Sequence, residues 1–129
     1  MPITVLIVDD SKLARIVAGK VVTVLQPDWR RVEANGAEQA LDILKTQPID
    51  VALLDYNMPG IDGLALADSI KTLFPEMPIA LITANIQDDI VARARDIGIA
   101  FVSKPITEEG LRGFASGAAL RLKGGRDDR

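Results

Sequence analysis

Short, nearly unbroken apolar runs, each followed by apolar residues at helical spacing, restrict what this 129-residue chain can fold into. Ile3-Thr-Val-Leu-Ile-Val8, Val51-Ala-Leu-Leu54, Ile79-Ala-Leu-Ile82 and Ile99 to Val102 are bounded by turn residues and read as buried strands. Trp29 to Ala34 alternates only loosely and predicts a weaker, outer strand. Between the strands, Leu13, Ile16, Val17, Val21, Val24 and Leu25 mark a first helix, with Asp10 or Ser11 as N-cap and Pro27 beyond its end. Ala37 to Thr46 follows the Asn35-Gly36 turn as a second. Leu64, Leu66, Ala67, Ile70, Leu73 and Phe74 mark a third, stopped by Pro75 and Pro78. A fourth carries Ile86, Ile90, Ala94 and Ile97, with Asp88 and Asp89 early, Arg93 and Arg95 late, and Gly98 as cap. Thr107-Glu108-Glu109 opens a last helix that runs to about Leu122. Five such alternations predict an α/β domain, a doubly wound parallel sheet covered on both faces.

The expected domain spans residues 1–123, and Gly124 to Arg129 reads as a disordered tail or linker stub. Gly110, Gly113 and Gly117 share one face of the last helix, each costing about 1 kcal/mol against Ala. Close packing or a soft terminal helix would account for them; so would a malleable partner surface.

The strand ends carry the chemistry. The first strand ends in Asp9-Asp10, the third in Asp55 before Pro59-Gly60, the fourth in Thr83 and the fifth in Ser103-Lys104. The second ends in nothing reactive. A right-handed parallel sheet delivers all these ends to one edge, the edge at which open α/β sheets bind ligands. Three carboxylates gathered there repel one another unless a cation joins them. The chain has no histidine and no cysteine, so a metal must be held by oxygen, and Mg²⁺ is the common ion of that kind that partners phosphate. An ammonium and a hydroxyl beside such a metal suit the spread negative charge of a phosphoryl group. Asp55 is the natural nucleophile, giving an aspartyl-phosphate.

Other classes fall away. Without cysteine or histidine, the chain has no disulfides, thiol chemistry, Ser-His-Asp catalysis or phosphohistidine of its own. A net charge of −3 argues against direct nucleic-acid binding. No run approaches the length of a membrane span and no signal peptide opens the chain, which favours the cytoplasm. Neither G-x-x-x-x-G-K-[ST] nor G-x-G-x-x-G follows a strand, and D-x-D is missing.

Leu6-Ile-Val-Asp-Asp-Ser11, Asp55-Tyr-Asn-Met-Pro-Gly-Ile-Asp-Gly63, Leu81-Ile-Thr-Ala84 and Phe101-Val-Ser-Lys-Pro105 resemble the receiver domains of two-component response regulators. The approach to the second helix, Glu33 to Leu41, is similar too, and the likeness covers residues 3 to about 122. It implies the flavodoxin-like strand order 2-1-3-4-5. It also implies that Asp55 accepts a phosphoryl group from a sensor histidine kinase or histidine phosphotransfer protein. Asp10, Asp55 and the Asn57 carbonyl would ligate Mg²⁺, with Asp9 acting mainly through water. Lys104 would pair with the phosphoryl oxygens, Thr83 would move to hydrogen-bond one, and Phe101 would be the switch aromatic. The Lys104-Pro105 bond would be cis. The output would be the face formed by helix four, strand five and helix five, read by a protein partner, an attached effector or a second copy in a phosphorylation-dependent homodimer. This makes the chain a switch rather than a multiple-turnover enzyme. The alternatives are a phosphorylation-independent docking module and an Mg²⁺-dependent phosphohydrolase.

Overall fold

In the computed structural model, which describes residues 2–84 and 87–127, strands and helices alternate strictly. The strands are β1 (Thr4–Val8), β2 (Arg30–Ala34), β3 (Val51–Asp55), β4 (Ile79–Thr83) and β5 (Ala100–Ser103). The helices are α1 (Lys12–Leu25), α2 (Ala37–Thr46), α3 (Gly63–Leu73), α4 (Asp88–Asp96) and α5 (Glu108–Asp127). All pairings are parallel, in the order β2-β1-β3-β4-β5. The chain therefore winds outward in both directions from the β1/β3 pair, and the crevice of such a sheet opens at the carboxyl ends of that pair.

Alternation along the central strands divides the core in two. Leu6, Val8, Ala52, Leu54, Ile79 and Leu81 face α2, α3 and α4 through Ala40, Leu64, Ile70 and Ile90. Val5, Ile7, Val51, Leu53, Ala80 and Ile82 face α1 and α5 through Ala18, Val22, Leu111 and Ala118. Every residue of β1, β3 and β4 is buried, which is why these strands read as apolar runs rather than as alternating ones. A one-residue slip would exchange the two faces, so register is firmly specified, and with it the position of each strand end. β2 lies at an edge, and exposed Arg30, Arg31 and Glu33 give that edge the charge that discourages further pairing.

Side chains cap the starts of α1 and α3. The Ser11 hydroxyl accepts the Ala14 N–H at 3.2 Å, and an Asp62 carboxylate oxygen accepts that of Ala65 at 2.8 Å. Gly98 ends α4 at a φ of 76°, where the Gly98 and Ile99 N–H groups close back onto Arg95 and Ala94. Ile86, expected in the fourth helix, lies outside the described residues.

Two expectations change. α5 continues past Leu122 to Asp127, so 124–127 are helical where a tail was expected; once a helix is nucleated, propagation adds one backbone bond per residue. The glycines of that helix are also not explained by close packing within the domain. A Cβ at Gly113 or Gly117 would meet nothing within 4 Å, and one at Gly110 would lie 3.1 Å from the Thr107 hydroxyl.

Gly63 is the opposite case. A Cβ there would fall 2.1 Å from the Asp55 carbonyl oxygen, because α3 starts directly against the end of β3. The Gly63 N–H donates to Tyr56 O at 3.0 Å, fixing that approach. Denaturant unfolding should show Gly63→Ala destabilised by about 3 kcal/mol from overpacking. The same measurement should show Gly113→Ala stabilised by about 1 kcal/mol, as for an unencumbered helical glycine.

Candidate functional site

Each reactive side chain sits where a buried strand runs out. β1 delivers Asp9 and Asp10, β3 delivers Asp55, β4 delivers Thr83, and β5 leads through Ser103 to Lys104. Asp9, Asp55 and Thr83 are buried, whereas Asp10 is exposed at the mouth. One carboxylate oxygen from each of Asp9, Asp10 and Asp55 lies within 4.8 Å of the others. Lys104 Nζ stands 2.6 Å from Asp55 Oδ1 and 3.9 Å from Asp9 Oδ2. The Lys104 N–H donates to Thr83 O at 2.9 Å, which locks the ends of β4 and β5 side by side. The Lys104–Pro105 peptide is cis.

The electrostatics follow from crowding acids in a dry place. Burial pushes the Asp9 carboxyl above its ordinary range, and neighbouring Asp55 and Asp10 push the same way. The Ser11 N–H, donating to Asp9 Oδ1 at 2.9 Å, and the Lys104 ammonium oppose that rise without cancelling it. Asp55 Oδ1 is buried and close to the ammonium, yet no donor is directed onto it with hydrogen-bond geometry among the described residues. A buried anionic oxygen left in that condition, beside two further carboxylates, suits a hard divalent cation. The donor set and its incomplete satisfaction fit Mg²⁺.

The remaining candidates lie on the loop after β3 and within β5. Asn57 is exposed, two residues beyond Asp55. Phe101 is half-buried on β5, registered with Leu81 and packed on the core alongside Tyr56 and Ile97. It lies inward of the β5 end, where Ser103 pairs with Thr83.

The family model for the response regulator receiver domain matches residues 5–115. The chain belongs to this receiver family. It is the phosphorylation-activated switch of two-component signalling, and receivers of this kind work with histidine kinases and effectors. The receiver is 33% identical over 129 residues to protein-glutamate methylesterase/protein-glutamine glutaminase 2 of Pseudomonas aeruginosa, covering 95% of this chain and 36% of the relative. It is 32% identical over 130 residues to the response regulator protein FleR of the same organism, covering 99% of this chain and 27% of the relative. In fold it is similar to the signal receiver domain of an HD domain-containing protein from Pseudomonas fluorescens, with a TM-score of 0.83 and 23% identity over 96% of this chain and 99% of that one. A CheY-like receiver from Methanospirillum hungatei superposes with a TM-score of 0.81 at 20% identity, covering 95% and 98%. The chain spans about a third of the first curated relatives it matches, at 36%, 29% and 31% of their lengths. No helix among the described residues is long and apolar enough to cross a membrane.

Reading the strand ends missed three residues that shape the receiver's pocket. Gly63 lets α3 approach Asp55, and Asp62 caps that helix. The signal for both was Asp-Gly opening an apolar helical run. Arg15 reaches back from α1 to the Asp9 carbonyl at 2.7 Å, and an arginine one turn into a helix that follows two acids was its signal.

The raised Asp9 carboxyl has a consequence for stability. Its protonated form is favoured by folding, so its contribution is present in acid and is lost as pH rises through its folded-state titration. At neutral pH the ionised group therefore weakens the metal-free fold. Asp9→Asn, which keeps an acceptor for the Ser11 N–H, should raise the metal-free melting temperature at neutral pH by about 3 °C. The gain should shrink when both proteins are melted in acid, where the native carboxyl is already neutral.

Proposed function

We propose that Asp55 is the phosphoryl acceptor of this receiver, and that Asp9, Asp10 and the Asn57 carbonyl join it in holding Mg²⁺. The observation that carries the proposal is a buried carboxylate at the end of β3 that has an ammonium 2.6 Å away and two more carboxylates within 4.8 Å. Bound there, Mg²⁺ would neutralise the acids and the charge of the incoming phosphoryl group.

The donor is a phosphohistidine on a sensor histidine kinase or a histidine phosphotransfer protein. An Asp55 carboxylate oxygen attacks phosphorus; the P–N bond breaks as the P–O bond forms, and the histidine ring departs with the bonding pair. Lys104 then pairs with the phosphoryl oxygens in place of the bare carboxylate. Thr83 turns to hydrogen-bond one of them, and the space it leaves lets Phe101 change rotamer. The strand ends are joined by the Lys104–Thr83 backbone bond, so this local charge change reaches the α4-β5-α5 face. That face is read by a protein partner or an attached effector, or by a second copy in a phosphorylation-dependent homodimer.

On this reading the chain is a cytoplasmic switch, not a multiple-turnover enzyme, and it contacts neither nucleic acid nor membrane directly. The receiver unit extends over 1–123, a boundary supported by the core contacts that α5 makes at Ala118 and half-buried Leu122 among the described residues.

Incubation with Mg²⁺ and a small-molecule phosphodonor, followed by intact mass measurement, tests the assignment. The native protein should gain one phosphoryl group, a chelator should abolish the gain, and Asp55→Asn should show none. Equal labelling of Asp55→Asn, or no adduct on a native protein that binds Mg²⁺, would overturn it.

A further inference from the structure

The backbone turn that carries Asp9 and Asp10 is held from three sides. The Asp9 N–H donates to Ala34 O at the end of β2, at 3.1 Å. The Asp9 carboxylate accepts the Ser11 N–H at 2.9 Å, closing the turn on itself. The third hold comes from α1. Arg15 Nη1 donates to the Asp9 carbonyl at 2.7 Å, while Arg15 Nε pairs with Glu33 Oε1 of β2 at 2.9 Å. The Arg15 side chain is only 15% exposed, and its guanidinium fork is divided between the two partners. A planar, multidentate cation can hold two acceptors in fixed relative positions, which a lysine ammonium on a flexible stem cannot do.

The Asp9 carbonyl belongs to the same peptide unit as the Asp10 N–H. Fixing the carbonyl fixes that plane and the place of the Asp10 Cα; with the Ser11 N–H held by the Asp9 carboxylate on the far side, little freedom is left in how Asp10 leaves the backbone. Asp10 is the exposed member of the acid cluster, and no side-chain hydrogen bond to a described residue is seen for it that could orient it otherwise.

We infer that Arg15, anchored by Glu33, is a positioning residue that aims Asp10 into the cation site. This rests on the reading of Asp9, Asp10 and Asp55 as the metal-holding acids. It runs against the simplest electrostatic expectation, because a cation so near a metal site should by charge alone weaken Mg²⁺ binding. That opposition makes the sign of the effect diagnostic.

Calorimetric titration of the whole chain with Mg²⁺ supplies the test, on the native protein and on Arg15→Gln, Arg15→Lys and Glu33→Gln. Arg15→Gln should weaken Mg²⁺ binding about tenfold, the loss typical when a group orienting a metal ligand is removed. Arg15→Lys, which keeps the charge and loses the fork, should also bind more weakly than native. Glu33→Gln alters a half-exposed residue and reports on the same anchor should the Arg15 variants fail to fold. Its loss should persist at high ionic strength, where a distant charge effect is screened.

Amide hydrogen exchange without metal provides a second readout. Asp9 and Ser11, whose N–H groups are held by Ala34 O and the Asp9 carboxylate, should exchange about tenfold faster in the variants, with β3 unchanged. Binding by Arg15→Gln as tight as native or tighter overturns the inference, as does unchanged exchange at Asp9 and Ser11. A native chain that binds no Mg²⁺ overturns the metal reading beneath it, and the exchange result then decides alone whether Arg15 holds the turn.

Discussion

The structure turns on the repulsion among three carboxylates that the sheet forces together. Unit charges about 5 Å apart at an effective dielectric of about 20 repel by about 3 kcal/mol, and Asp9, Asp10 and Asp55 are held closer than that in pairs. A chain free to relax would separate them. It cannot, because each acid is the end of a strand whose register is fixed by an apolar core on both faces. The core thus supplies the stability that the polar edge gives up. Lys104 offsets part of the strain, and the rest appears as the upward push on Asp9 and the poorly satisfied Asp55 oxygen.

That stored imbalance suits a switch. A cation and a phosphoryl group can each be accommodated only by rearranging the partners already present. On the proposed reading Lys104 exchanges one oxygen partner for another, and it is tied through its own backbone to the end of β4. A change at Asp55 therefore bears on two neighbouring strands at once. The curated relatives carry this same unit within longer chains whose names describe quite different activities, among them a methylesterase/glutaminase and cyclic di-GMP phosphodiesterases. The shared part is the switch, and what it controls is grafted on separately.

Much of this was legible in the residues themselves. β4 and α2 fall where the apolar spacing put them, and β1, β3 and β5 within a residue or two. Doubly buried strands leave a strong signal, and a carboxylate terminating one stands out against it. Strand order was a different matter: which parallel strands become neighbours is decided by non-local packing, so the order came from the family likeness rather than from spacing. The pocket's support was harder still. Gly63 matters because of a backbone approach across the α3 start, and Arg15 because of a carbonyl and a strand that lie far from it in the pattern of apolar residues. The end of α5 misled for a related reason, since Gly124-Gly125 weakens a helix without being obliged to stop it.

The most direct test of the central claim is chemical mapping of the acceptor. After phosphorylation in the presence of Mg²⁺, borohydride reduces an acyl phosphate to the alcohol, so a phosphorylated aspartate becomes homoserine. Peptide mass spectrometry should then find homoserine at position 55, with Asp9 and Asp10 intact. Homoserine at position 9 or 10, or a phosphorylated protein with no homoserine at all, would contradict the account.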